Sequence, residues 1–145
     1  MSTAFSDGAS AIATILSAIS GLKVYTYEPR DLDALPAVTI DGPDFARREP
    51  GDVDSGIEAI DLHLTYILRL YVARDDPSTA TAAARTLIET IMQAVEANPG
   101  LNGTCMEAVL VSGQYGQTVP DEARSREMVV YECDLRTWTL VPKGI

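Results

Sequence analysis

The chain is short of basic residues, histidine and cysteine, and each shortage narrows what it does. Eleven lysines and arginines stand against 21 aspartates and glutamates, a formal charge of −10. Such a chain repels phosphate, which argues against binding the outside of nucleic acid or an anionic membrane. Only Lys23 and Lys143 are lysines, the other basic residues being arginine, and alanine is abundant, which hints at a GC-rich genome. The single histidine, His63, has no partnered serine or cysteine and is read as a side chain on the wet face of a strand. Cys105 and Cys133 are too few for a disulfide framework or a zinc site, and are read as buried apolar groups. No GxGxxG, P-loop, CxxC pair, HExxH or GxSxG occurs. No basic residue precedes Lys23, and the first apolar residues are spaced helically instead of running together, so neither a signal peptide nor a membrane span is expected and the default compartment is the cytosol. The expectation is a protein that is not an enzyme: no catalytic residue, no metal ligand set and no cofactor.

What is present is a long alternating stretch, AIDLHLTYILRLYVA, from Ala59 to Ala73. Its even positions, from Ile60 to Val72, are all apolar and its odd ones mostly polar, the period of a strand with one buried face. At about 3.3 Å per residue it reaches more than about 40 Å, beyond an ordinary strand, so a bulge or bend along it is expected. With 145 residues, 46% of them hydrophobic, the chain has material for one domain with a real core.

Two helical patterns supply the cover this strand needs. From Asp7 to Ser20, Ala11, Ile12, Ile15, Leu16 and Ile19 form one stripe, with Ser6 or Asp7 as cap and Gly21 as stop. After the long strand, Asp76 caps and Pro77 opens a second helix whose stripe is Ala80, Ala84, Leu87, Ile88, Ile91 and Val95, ended by Asn98, Pro99 and Gly100. Short strands are expected at Leu22–Tyr27 and Ala37–Ile40, then longer ones over Thr104–Val111 and Glu127–Leu140. Residues 41–58 are rich in Gly, Pro and both signs of charge and read as a long charged loop; residues 112–126 read as a hairpin loop. The connection through the second helix allows the long strand and the next to lie parallel, while the last two form an antiparallel hairpin. The fold class expected is therefore α+β: one domain over residues 1–145, a mixed sheet of about five strands and two helices packed on one face.

Smaller signals lose to plainer readings. Asp52 and Asp54 faintly suggest a calcium loop, but Gly56 stands where an oxygen ligand belongs and His63 where the closing glutamate belongs. Asn102-Gly103-Thr104 matches a glycosylation acceptor and reads as a turn; Gly113-Gln114-Tyr115-Gly116 has the spacing of a nucleic-acid-clamping GxxG loop and reads as part of a hairpin loop. More informative is the wet side of the sheet, where Ile67, Tyr71, Met128, Val130 and Trp138 interrupt the polar rows. That much apolar surface calls for a cover, either other copies of the chain or its own long loops.

The order of elements carries a resemblance. A capped helix, the VYTY strand, a turn into LPAVTI, the long LHLTYILRLYVA strand, a DDP-initiated helix and a closing hairpin ending DLRTWTLVP together resemble the tail-terminator proteins of long-tailed, siphovirus-type bacteriophages. The resemblance runs through nearly the whole chain and lies in element order and hydrophobic pattern. It implies a structural virion protein at the tail–neck junction, assembled in the cytoplasm of the host bacterium. A hexameric ring would cap the tail tube, stop its polymerisation and offer a joining surface to the head–tail connector. DNA would pass through the lumen without specific binding, and no membrane would be involved. Net charge agrees, since an acidic lumen lets DNA slide. Arg47, Arg48, Tyr115, Arg124 and Arg126 are the expected assembly-interface residues, facing adjacent subunits, the tail tube protein or the connector protein. The alternatives are another neck or tail component, head-closure or tube-like, and a small cytosolic enzyme or ligand-binding domain.

Overall fold

The structure, a computed structural model, describes residues 4–27, 29, 32, 34–48, 59–74, 76–103, 105, 107–121 and 126–142. Its elements are α1 (Ala4–Ser17), β1 (Lys23–Tyr25), β2 (Ala37–Arg48), β3 (Ala59–Ala73), α2 (Pro77–Glu96), β4 (Glu107–Asp121) and β5 (Arg126–Pro142), with a short 3-10 turn at Leu101–Gly103. The five strands form one mixed sheet in the order β1-β2-β3-β5-β4. The fold is α+β, with the helices and the core on one side of that sheet.

β3 obeys its alternation. Leu62, Leu64, Tyr66, Leu68, Leu70 and Val72 are buried on the helix-covered face. β5 matches it from the neighbouring position, burying Val129, Cys133 and Leu135 on the same face. The two pair antiparallel through fifteen consecutive positions, from Ala59 opposite Pro142 to Ala73 opposite Met128, without a register shift. The bulge expected in the long strand therefore lies elsewhere. β2 takes up one extra residue between Asp41 and Asp44 against β3, and β4 takes up extra residues between Leu110 and Ser112 and between Tyr115 and Thr118 against β5. Flanking strands absorb the irregularity, and the central pair stays regular.

These bulges explain where the sequence reading stopped short. The long loop expected over 41–58 is strand as far as Arg48, while 49–58 lie outside the described residues. Ile40 faces the core, and after the extra residue at Gly42–Pro43 the core-facing parity passes to Phe45, which pairs with Leu64. A single change of phase hides an alternating pattern from a period-two reading. Gly42 has φ +97°, and a Cβ there would press on Asp44 N and Thr65 O at 3.2 Å, so the bulge requires glycine. The hairpin loop expected over 112–126 is likewise strand to Asp121, with β5 resuming at Arg126 and 122–125 outside the described residues. Between its bulges β4 is an exposed edge with no buried row to announce it. The GxxG glycines stand inside this strand, Gly113 against Tyr131 and Cys133 and Gly116 against the carbonyl of Val130.

The topology differs from expectation in one respect. β3 and β4 both run antiparallel to β5, so α2 does carry the chain to a strand of the same direction, but β5 lies between them. The insertion gives β5 two partners and leaves the bulged, exposed β4 as the edge. β1 pairs in parallel with only Ala37, Val38 and Thr39 of β2.

Both helices form close to their patterns. α1 starts at Ala4, one turn before its expected start, so Ser6 and Asp7 fall within its first turn instead of capping it, where the Asp7 carboxylate suits the positive end of the helix. Asp76 caps α2, accepting from Ser78 N at 3.2 Å and Thr79 Oγ1 at 2.9 Å, with Pro77 in the first turn. Those bonds hold its carboxyl below the ordinary value, Thr79 contributing most. Ala80, Ala84, Ile91 and Val95 are buried, with Leu87 and Ile88 packed partly against the core. α1 meets the sheet at Gly8, where a Cβ would collide with the Tyr66 hydroxyl, and Tyr66 is fully buried. Burial also pushes the Tyr66 phenol up to about 12. Cys133 is buried and Cys105 half-buried, the Cys105 thiol donating to Pro99 O at 3.8 Å; burial pushes the Cys133 thiol up to about 11.

Two outcomes follow. Gly8→Ala lowers unfolding stability in urea by about 1–3 kcal/mol, although alanine favours helix, because the Tyr66 ring has no room to withdraw; the penalty shrinks when Tyr66→Phe removes the hydroxyl. The cap contribution of Asp76 is full above the ordinary carboxylate range and is lost as pH falls through its lowered value, so Asp76→Asn, which keeps an acceptor, flattens the acid limb of a thermal-stability profile and leaves the neutral limb near wild type.

Candidate assembly surface

The side of the sheet without helices is assembled from strand register. Reading across β2, β3, β5 and β4, one row holds Ala46, His63, Trp138 and Glu107; the next Asp44, Thr65, Arg136 and Val109; the next Asp41, Ile67, Asp134 and Ser112; and the next Thr39, Arg69, Glu132 and Gln114. Arg69 is the electrostatic centre. Its guanidinium donates to Asp41 Oδ2 at 3.0 Å and Glu132 Oε2 at 3.2 Å, tying β2, β3 and β5 together. The Asp41 bond is the main reason its own pKa is raised. With both acids about half exposed, each pair contributes at most about 1 kcal/mol. Arg74 and Glu127 form a further pair at 2.8 Å near the end of β3.

The apolar residues of this face divide into two groups. Tyr71 and Met128 are buried within the protomer, as are Ala37 and Thr39 beside them, so this end of the face is already closed. Thr39 Oγ1 is buried without a hydrogen-bond partner. Ile67, Val130 and Trp138 are only half-buried, and Val109 and Val111 stand 45% and 46% exposed. Around Trp138, the residues His63, Glu107, Val109, Val111 and Arg136 border a shallow hollow of about 360 Å³. His63 is half-buried here, cross-strand from Trp138. Among the described residues, no group of three His, Cys, Asp or Glu is placed to hold a metal ion, and no helix is long and apolar enough to cross a membrane.

The residues expected at the assembly interface do not gather in one place. Arg47 and Arg48 end β2, opposite Leu62 and Asp61, at the end of the sheet where β3 begins. Tyr115 lies on β4 opposite Tyr131, and Arg126 opens β5 opposite Asp121, both toward the other end. Arg124 lies outside the described residues. Tyr115 is 47% exposed but engaged within its own chain, its hydroxyl 3.2 Å from Thr81 Oγ1 and its ring edge-on to Tyr131 at 5.9 Å. Phe45, 63% exposed on β2, and the exposed Val109 and Val111 are not among the expected interface residues. The parity change hid Phe45; the VLV run at 109–111 was visible, but edge exposure follows from strand order, which the sequence does not spell out.

No protein-family model matches the chain, and no curated protein matches it.

Thr39→Val removes a buried hydroxyl that has nothing to bond and keeps the side-chain shape, so unfolding stability rises by about 1 kcal/mol in a urea titration.

Proposed function

We propose that the chain is a structural subunit of a phage tail-terminator ring, closing the tail tube and joining it to the head connector. The observation that carries this reading is the two-sided sheet. One face is sealed by α1 and α2, and the other keeps Ile67, Val130 and Trp138 half open with Val109 and Val111 beside them. Such a protomer has apolar surface that like copies or a docking partner would cover. Subunits of a closed ring meet through unlike patches, one side of each protomer against the other side of the next, and a sheet with two different free edges has the unlike sides this requires. The formal charge of −10 favours a passage that DNA slides through over a surface that holds it. The resemblance in element order supplies the identity of the ring. Arg47 and Arg48, at the end of β2, are proposed to face the neighbouring subunit, the tube or the connector.

Negative-stain images of the concentrated protein, alone and with purified tail tubes, show annular particles with a central hole or rings seated on tube ends; monomer in both samples refutes the reading. Arg47→Glu with Arg48→Glu leaves the thermal midpoint within a few degrees of wild type and removes tail joining, read as infectious particles recovered by complementation. An unchanged yield refutes the role of those two residues.

A further inference from the structure

The sheet ends in two unpaired edges of opposite direction. β1 covers β2 only as far as Thr39, and among the described residues no strand pairs with the outer edge of β2 beyond it or with the outer edge of β4. Each edge contains one regular stretch that is free of β1, glycine and proline, since the bulges divide β4 into 107–110, 112–115 with Gly113, and 118–121 with Pro120. On β2 it is 44–48, beginning just after the Gly42–Pro43 bulge and free of proline; on β4 it is 107–110, ending at the first bulge. Pro43, Pro120 and the bulges make the remainder of both edges poor templates for a further strand.

We infer that these two stretches pair with each other between copies, the 44–48 segment of one protomer adding antiparallel to the 107–110 edge of the next and continuing the sheet from copy to copy. This deepens the ring reading and rests on it. Direction permits it: β2 runs antiparallel to β4 within the sheet, so a neighbour turned by rotation in a ring presents its β2 antiparallel to β4. The two faces of the sheet then restrict the register. Phe45 belongs to the row that faces the helices, as do Ala108 and Leu110, whereas Asp44 and Ala46 belong to the opposite face with Glu107 and Val109. Shifting by one residue would put every side chain on the wrong face. Of the registers that keep the faces matched, one sets Phe45 beside Leu110, Ala46 beside Val109, and the position of Arg48 opposite Glu107. It buries Phe45, at 63% the most exposed large apolar residue among those described, against a half-buried leucine. The alternative register two residues away sets Phe45 against Ala108 and Asp44 against Val109, which gives up the larger burial and sets a carboxylate against a valine.

The test traps the register by disulfide formation. In a Cys105→Ser background, Ala46→Cys with Val109→Cys places two thiols directly across the proposed junction, within disulfide reach. Inside one copy the same positions are three strand spacings apart, about 14 Å, so the bond forms only between copies. Oxidation of the concentrated protein yields a ladder of multimers on a non-reducing gel, collapsed by reductant, while Asp44→Cys with Val109→Cys yields none. Phe45→Asp shifts the protein to monomer by light scattering, while a cooperative melting transition shows that the protomer still folds. Annular particles without a 46–109 bond, or with Phe45→Asp still assembled, overturn the edge pairing and leave the ring reading standing. Monomer throughout, with neither rings nor cross-links even in the presence of tail tubes, overturns both.

Discussion

The structure depends on the unbroken ladder between β3 and β5. Fifteen consecutive pairs fix one strand against the other over their common length, and a slip by one position would turn every buried side chain of one strand to the opposite face. Tyr66, Leu68, Leu70 and Leu135 are 2% exposed or less, and each contributes about 1.5–3 kcal/mol by burial, so such a slip is prohibited many times over. The helices then have a defined surface to meet. α1 comes so close to it at Gly8 that no side chain fits between the helix and Tyr66, and α2 lays Ala80 and Ala84 on it before its larger residues.

A regular centre moves the cost of twist and of element ends to the flanks. β2 and β4 carry the bulges, the interior prolines Pro43 and Pro120 and most of the exposed apolar side chains of the sheet, because neither has a second full-length neighbour to discipline it. Edge strands are where a protein must either block further pairing or use it. On both flanks, bulges and a proline stand beside a short regular stretch, so pairing at such an edge would be confined to a few residues.

The same division between centre and flank decides how much of the fold was legible in the sequence. β3, the core face of β5 and the stripe of α2 alternate without interruption, and their pattern predicts both element and buried face. The Asp76-Pro77 start of α2 is legible because cap and first-turn residues act locally. What escaped was strand whose phase changes. Asp41–Arg48 and Ser112–Asp121 have the composition of loops, and they hold strand conformation because a long neighbour offers a ladder, a tertiary cause with no local signal. The apolar interruptions of the wet face were visible individually, but Tyr71 and Met128 are closed off within the chain while Trp138 and Val109 are not, and only the fold distinguishes them. The dispersal of Arg47 and Arg48 from Tyr115 and Arg126 is likewise a consequence of strand order.

Magnitudes decide how such a protomer would assemble. A junction of four or five residues would supply about four backbone hydrogen bonds at about 0.5–1.5 kcal/mol each, and burial of one phenylalanine would add about 1.5–3 kcal/mol. Bringing two copies together costs about 4–15 kcal/mol in lost translational and rotational freedom. One junction therefore lies near break-even, and a pair of copies in dilute solution separates as readily as it forms. Closure changes the balance, since the last copy of a ring makes two junctions for one loss of freedom, and a tube end that already holds the copies side by side removes most of that loss. A short, weak and directional edge is thus suited to a subunit that must stay dispersed until a template gathers it, whereas a long flat apolar edge would aggregate before the template appeared.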